Sequence, residues 1–295
     1  GQFDAVITNG IGEDCKSMIV ASPLVRQLPL EWSSLLDDKL IMVDTLALVG
    51  DGGKTLPPWF PNTVSADAWL LEFVAGRSAG QGRDGVVFLK HRQGVKGLSV
   101  HPHLTHASLA QFLGRSQLNQ RDFVVQDAVS PPLLVNGRKQ CLRVHVLFTL
   151  ELPQQNNQSG AAAGSAGRDA AAIGDDEEDQ AVKSTGYVHS DVIQLFHSAD
   201  YDASSESKSV HVQQTGKHHP TPSLLKDTLD ADTFDATFAQ LVEIGRHAVT
   251  ALWCGIDAAW KATPTPAMED EGGGAPCTAQ LYYQLFGFDV MQDDT

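Results

Sequence analysis

The sequence contains no run of about 18 apolar residues, the length that a membrane-spanning helix needs. Its first ten residues lack the basic start and the apolar centre of a secretory signal peptide, and they also lack an initiator Met. We therefore expect no membrane span, and we expect the chain to be an excised piece or a processed product of a longer protein.

Cysteine is also scarce. The 295-residue chain has four cysteines (Cys15, Cys141, Cys254 and Cys277), and their spacing does not match that of a metal site. Isolated cysteines are typical of a reducing compartment rather than of a disulfide framework, so a cytoplasmic location is expected.

Basic residues are few as well. The chain has 21 Lys and Arg against 36 Asp and Glu, and the formal net charge of -15 argues against nucleic acid as a partner. The stretch from residue 77 to residue 143 is the exception, with ten Lys and Arg and three acids, a net charge of +7. This basic block predicts an anion-binding site; a solvated basic surface is the alternative.

The clearest structural pattern lies between Phe123 and Leu150. Phe123 to Val125 is a short β-branched and aromatic run that predicts a buried strand. Asn136-Gly137 predicts a tight hairpin turn. After the turn, apolar residues alternate with Cys141, Arg143 and His145, so a strand is expected to bury one face and present these three side chains on the other.

Weaker patterns complete the expected organisation. Ser65 is expected to cap a helix whose apolar stripe is Trp69, Leu70, Phe73 and Val74, and a 3.6-residue period predicts a long core helix from Asp232. Residues 153–184 are low in large apolar residues and are expected to be a disordered insertion. A strand is expected to end at Lys90, followed by a glycine-bounded loop and a second strand at Leu98–Val100. A solvated loop carrying His101, His103 and His106 and a short helix at 108–118 come next. Further along the chain we expect a long loop at 202–221 and a final strand at 281–293 with Asp289 and Asp293 on one face.

Three segments taken together resemble the tubulin tyrosine ligase-like family of the ATP-grasp superfamily. Gln126 and the residues after it are similar to the family's "QkYi", and residues 132–139 are similar to "PlLi-grK". Lys139 and Arg143 then stand where "KFDLR" has its Lys and Arg. The strand ending at Lys90 with the following loop resembles the family's ATP-covering hairpin, and residues 285–293 resemble "lfGfDfmlD".

The resemblance covers roughly residues 40 to 295 and implies an α/β (α+β) ATP-grasp fold. It implies a small N-terminal lobe at 1–62 and an ATP-grasp domain at 63–295 that is truncated at its C-terminal end. The family's Glu-x-Asn pair, which completes magnesium ligation, would lie beyond Thr295. The acid of "KFD" is Cys141 in this chain, and the Arg of a neighbouring family strand is Gln194.

The resemblance also implies residue roles and a function. The cofactors would be ATP and Mg²⁺, and the reaction would join glutamate, glycine or tyrosine to tubulin, or to another protein with an acidic tail, through an acyl phosphate. The location would be the cytoplasm, at the cytoskeleton or a cilium. The alternatives are a catalytically weak tubulin-binding homologue and a ligase with a small-molecule substrate. The implied assignments are nucleotide contacts by Lys90, Lys96, Gly97, Gln126, Asp127, Ala128 and Lys139, a catalytic role for Arg143, and magnesium binding by Asp293.

Overall fold

The computed structural model describes residues 25–50, 55–76, 86–94, 99–151, 183–212, 220–262 and 281–293. The described residues form a mixed α and β structure with two mainly antiparallel sheets. The chain divides into two compact units. The larger unit consists of residues 29–147, 186–262 and 285–295, and the smaller unit consists of 1–28, 148–185 and 263–284.

The helices and strands are labelled in chain order. The helices are α1 (Leu30–Asp37), α2 (Lys39–Ala47), α3 (Ala66–Val74), α4 (His106–Arg115), α5 (Lys208–His211) and α6 (Ala231–Ala262). The strands are β1 (Val25–Gln27), β2 (Thr63–Ser65), β3 (Val87–His91), β4 (Val100–His103), β5 (Phe123–Asp127), β6 (Leu134–Val135), β7 (Arg138–Glu151), β8 (Lys183–Val188), β9 (Ile193–Phe196), β10 (Ser223–Leu224) and β11 (Leu281–Val290).

The four-stranded sheet has the order β2-β5-β3-β4, with antiparallel pairing throughout. Successive side chains of a strand point to opposite faces, so Val87 and Leu89 of β3 enter a core that is closed by α3 and α4. Phe88 and Lys90 consequently point away from that core. Pro102 is accommodated because β4 is the edge strand, where a missing N–H costs no ladder hydrogen bond.

The second sheet is centred on β7, which β9 flanks on one side and β11 on the other. The predicted alternation along β7 is confirmed from Leu142 onward: Leu142, Val144 and Val146 are buried against α6, whereas Arg143 and His145 are partly exposed. Cys141, which was expected to be presented with Arg143 and His145, is buried. The predicted hairpin turn is also confirmed. Asn136 and Gly137 have φ values of 51° and 76°, which lets β6 pair with β7 across two residues. In the smaller unit, β1 runs parallel to the start of β11.

Helix α6 carries the core of the larger unit. Its expected apolar stripe is confirmed, because Leu241 and Leu252 are buried with Ala248 and Ala251 between them. Two glycines permit close approach. A Cβ on Gly245 would stand 2.8 Å from Cγ2 of Val188, and a Cβ on Gly186 would stand 2.7 Å from Cγ2 of Val249.

Helices α1 and α2 pack against α6. Asp38 joins them as the N-cap of α2, where its Oδ1 accepts hydrogen bonds from the backbone N–H of Leu40 (3.0 Å) and Ile41 (3.3 Å). The same carboxylate accepts from Arg92 Nε at 3.0 Å. Lys39 donates to the carbonyl oxygens of Arg92 and Gly94, both at 3.1 Å. Contacts from the N-terminal end of α2 therefore hold Arg92 and Gly94, which follow β3, in place.

Several sequence expectations are wrong. His101 and His103 lie in β4 rather than in a solvated loop, because both rings pack on Phe112 of α4. Val74 of α3 is 78% exposed, so it lies outside the buried stripe. The final strand ends at Val290, and Asp293 follows it as a single bridge to Pro132.

Other expected segments differ from the structure in their bounds or in the elements they contain. Lys183 and Ser184 belong to β8 rather than to an insertion, whereas residues 153–182 lie outside the described residues. The expected loop at 202–221 contains the one-turn helix α5. Leu98 lies outside the described residues, and the strand that follows the loop begins at Val100. None of the described helices is long and apolar enough to cross a membrane.

Candidate functional site

Three cationic side chains of the larger unit mark the candidate site, which we call the basic site: Lys90, Lys139 and Arg143. Lys90 extends from the face of β3 that is turned away from the α3–α4 core. Lys139 and Arg143 extend from one face of β7, since they are four residues apart in a strand. His211 connects the two strands, because its ring lies 6.3 Å from the ring of Phe88 in β3 and its Nδ1 lies 3.4 Å from Nζ of Lys139 in β7. The charge of Asp289 also influences the pKa of Lys90.

Lys90 is held within the protein. Its Nζ donates a hydrogen bond to Oε1 of Gln126 at 2.5 Å and lies 5.1 Å from the centre of the Phe88 ring. The residue as a whole is half-buried, but burial of its ammonium group, together with the nearby charge of Lys39, lowers the pKa of Lys90 to about 8. No carboxylate among the described residues forms an ion pair with Lys90.

Gln126 connects Lys90 to the edge of the sheet. Its Nε2 donates to Oγ1 of Thr63 at 2.8 Å, and Thr63 donates onward to the carbonyl oxygen of Pro61 at 2.9 Å. The backbone N–H groups of Asp127 and Ala128 are also engaged, with Asn62 O at 3.0 Å and Val86 O at 3.1 Å. A nucleotide at Gln126, Asp127 and Ala128 would therefore have to use groups other than these two N–H donors.

Lys139 is the most deeply buried cation of the site, with 1% of its surface exposed. Its Nζ lies 3.4 Å from Nδ1 of His211 and 4.6 Å from the centre of the Tyr201 ring. The carbonyl of Ser205 accepts from Nε2 of His211 at 2.6 Å, so in the neutral ring Nδ1 is the acceptor and Lys139 is the donor. Burial lowers the pKa of Lys139 to about 8.

His197 lies beside Lys139. Its backbone N–H donates to the carbonyl of Lys139 at 3.0 Å, and its Nδ1 donates to the carbonyl of Val210 at 2.9 Å. Burial lowers the pKa of His197 to about 4, so the ring is neutral at pH 7. Sequence reasoning did not predict His197, His211 or Tyr201 as neighbours of Lys139, because their approach depends on how residues 197–211 fold back over β7.

Arg143 is paired with Asp289, for which the sequence indicated no partner. Its Nε and Nη2 donate to the two carboxylate oxygens of Asp289 at 2.8 Å and 2.9 Å. This bidentate bond raises the pKa of Arg143. Arg143 is therefore oriented, but its charge is already balanced within the protein.

Cys141 stands between the two β7 cations and is 6% exposed. Burial raises the pKa of its thiol, and the neighbouring Asp289 raises it further. A protonated thiol is a poor nucleophile and a poor metal ligand. Cys141 thus contributes a neutral group at the position where the family that the sequence resembles has a carboxylate.

Gln194 stands where the resembling family has an arginine, and it is part of a chain of hydrogen-bonded side chains. Ser223 Oγ donates to its Oε1 at 3.0 Å, its Nε2 donates to Gln140 Oε1, and Gln140 donates to Gln292 Oε1 at 3.3 Å. Gln194 is 2% exposed and Gln140 is 4% exposed. The chain satisfies buried amides, as the cost of an unpaired buried polar group requires.

Of the remaining predicted site residues, Lys96 and Gly97 lie outside the described residues. Asp293 is exposed beside Pro132 and offers one hard oxygen ligand. Within the described ranges no three His, Cys, Asp or Glu side chains are placed to share a metal ion. Magnesium is often held by one or two carboxylates together with substrate phosphates, so Asp293 fits such an ion only as part of a nucleotide complex.

Two comparisons with known proteins do not assign this chain to a family. The chain matches no known protein-family model and no curated protein sequence.

Proposed function

We propose that the chain binds ATP at the basic site and acts as an ATP-dependent carboxylate–amine ligase with an ATP-grasp fold. The observation that supports this proposal is the presence of two lysines with buried ammonium groups, Lys90 and Lys139, without a carboxylate partner among the described residues. With pKa values of about 8, both are mostly charged at pH 7. Buried charges are normally paired, and a polyphosphate would supply the missing negative charge.

The chemistry would be divided among the ligand and the side chains of the site. ATP supplies the phosphoryl group that converts a substrate carboxylate into an acyl phosphate, from which an attacking amine displaces phosphate. Lys90 and Lys139 would bind and orient phosphate oxygens, and Arg143 would meet a substrate oxygen once part of its bond to Asp289 is released. Such reactions depend mainly on positioning and on cations near developing negative charge. The expected acceptor is tubulin, or another protein with an acidic tail, in the cytoplasm at the cytoskeleton or a cilium.

A second candidate function is that of a catalytically weak binding module for the same acidic tails. The observation that favours it is the closed pairing of Arg143 with Asp289 beside the neutral Cys141 thiol. In that arrangement the one proposed catalytic residue is occupied by an internal partner. Nucleotide binding could then persist while group transfer is slow.

Calorimetry with Mg-ATP tests the binding part of the proposal. Replacing Lys90 or Lys139 by Met removes a charge-assisted hydrogen bond worth about 1.5–3 kcal/mol, so affinity should fall by about 10- to 100-fold. Lys226→Met is the matched control, because Lys226 is a surface lysine paired with Asp191. Affinities that stay equal in wild type and both site variants would contradict ATP binding at the basic site.

Transfer of labelled glutamate, glycine or tyrosine to tubulin tests the ligase part. ATP-dependent incorporation that Arg143→Lys reduces by at least about tenfold would support a ligase, since Lys cannot reproduce bidentate contacts. Mg-ATP binding without incorporation of any of the three amino acids would instead support the binding module.

A further inference from the structure

A cleft lies in the larger unit, on the face of the four-stranded sheet that is opposite to Lys90. It has a volume of about 400 Å³ and lies between α4 and the segment that precedes α5. His103 reaches it from β4, where it pairs with Val87 and shares the face of the α3–α4 core. Lys90 points to the other face, so this cleft is separate from the basic site. Small-molecule sites commonly measure about 300–1,000 Å³. The lining residues are His103, Ser108, Gln111, Phe112, Arg115, Ser116 and Glu206.

An unpartnered imidazole lines the cleft. His103 is 8% exposed, and its Nε2 is buried without a hydrogen bond to any of the described residues. Burial lowers the pKa of His103, so the neutral ring can present either a donor or an acceptor. A buried polar atom without a partner destabilises the folded protein, and a ligand that forms a hydrogen bond with this atom removes that cost.

Two opposite charges, Arg115 and Glu206, line the cleft. Arg115, on α4, forms no ion pair within the part of the chain that the structure describes. Glu206 uses Oε1 to accept from Leu104 N at 3.1 Å and from Ser108 Oγ at 3.4 Å. Its other oxygen accepts no hydrogen bond from the described residues. Arg115 and Glu206 therefore form no ion pair with each other, and each can bind a further charged group.

An apolar surface also lines the cleft. The ring of Phe112 lies there and contacts the rings of His101 and His103, at 5.4 Å and 5.1 Å between centres. A ligand that satisfies every wall carries an anionic group for Arg115, a cationic group for Glu206 and an apolar portion for Phe112. A simple anion would be repelled by Glu206, and a simple cation by Arg115.

We propose that this cleft binds a small zwitterion of the α-amino-acid class. The carboxylate bonds to the Arg115 guanidinium, the ammonium group bonds to the Glu206 carboxylate, and the side chain lies on Phe112 within reach of His103. This site is independent of ATP binding at the basic site and of the proposed ligase activity.

Titration of the isotope-labelled protein with L-leucine, followed by the NMR signals of the histidine rings, tests the proposal. Leucine should shift the His103 signals. N-acetyl-leucine lacks the cation and leucine amide lacks the carboxylate, so each should bind about tenfold more weakly, the loss expected for one charged hydrogen bond. Equal binding of all three compounds, or no shift with leucine, would overturn the proposal.

Two substitutions locate the binding. Arg115→Gln and Glu206→Gln change exposed residues, so both variants should fold, and each should weaken leucine binding by about tenfold. Arg121→Gln and Glu72→Gln are controls that alter exposed charges away from the cleft and should leave binding unchanged. Lys139→Met should also leave it unchanged, which separates this proposal from ATP binding. Unaltered leucine affinity in the Arg115 and Glu206 variants would contradict the assignment.

Discussion

Arg143 of β7 and Asp289 of β11 are 146 positions apart in the chain, yet they form a bidentate ion pair at 2.8 Å and 2.9 Å. The pair places a carboxylate in the midst of the cations of the basic site and orients the guanidinium fork. It also means that Arg143 can contact an external anion only by sharing or releasing Asp289. The balance between these two partners is central to any activity of the site.

Replacing Asp289 by Asn should have a small effect on folding and a larger effect on ligand binding. The side chains of Arg143 and Asp289 are 37% and 49% exposed, so solvent screening limits the pair to about 1 kcal/mol or less of unfolding free energy. Removing the carboxylate should strengthen Mg-ATP binding, because one negative charge leaves the site. Urea unfolding and calorimetry measure the two effects. Asp200→Asn, which breaks the exposed pair with Arg138, is the control; weaker ATP binding by Asp289→Asn would contradict the prediction.

Lys139→Met should be more stable than the wild type at pH 7, with a difference that shrinks as the pH rises. Burial lowers the pKa of Lys139 from 10.5 to about 8, so below pH 8 the folded state carries a charge that burial disfavours. Between pH 8 and 10.5 the folded state has lost this proton while the unfolded state retains it, and wild-type stability rises. Urea unfolding of both proteins at pH 7, 8.5 and 10 measures the difference. A constant or widening difference would show that Lys139 does not titrate in this range.

Gly245→Ala should destabilise the protein although alanine favours helices. A Cβ at this position of α6 would approach Cγ2 of Val188 to 2.8 Å, and overpacking of this kind costs about 1–3 kcal/mol. Gly114→Ala in α4 is the matched control, because nothing lies within 4 Å of its Cβ position, and it should stabilise by up to about 1 kcal/mol. Thermal or urea unfolding of both variants measures the contrast. Equal changes would indicate that β8 yields to the added methyl group.

Asp38→Ala should destabilise the larger unit by about 2–3 kcal/mol, because it removes both the N-cap of α2 and the ion pair with Arg92. Asp38→Asn should cost less, since Asn also caps helices well and loses only the charge. Unfolding in urea at pH 7 ranks the variants. A larger loss for Asn than for Ala would show that the cap contributes little.

Three elements of this protein follow from local patterns in its sequence. The period of two along residues 142–150 predicted which side chains β7 buries, and the 3.6-residue period after Asp232 predicted the core stripe of α6. Asn136-Gly137 predicted its turn because few residue pairs adopt two successive positive φ values. These features depend on neighbouring residues, so the chain carries their information locally. The basic block likewise indicated where the cations of the site would come from.

Tertiary structure decided which partners those cations have. Asp289 was expected beside Asp293, but β11 lies against β7 and brings it to Arg143. His211 was expected in a polar loop, but the fold buries it against Lys139. His101 and His103 were expected in solvent, but the packing of α4 on β4 places them on Phe112. Each of these contacts joins residues that are distant in sequence or on separate elements. No local pattern encodes such contacts, because the burial and charge that shape each side chain come from other segments of the chain.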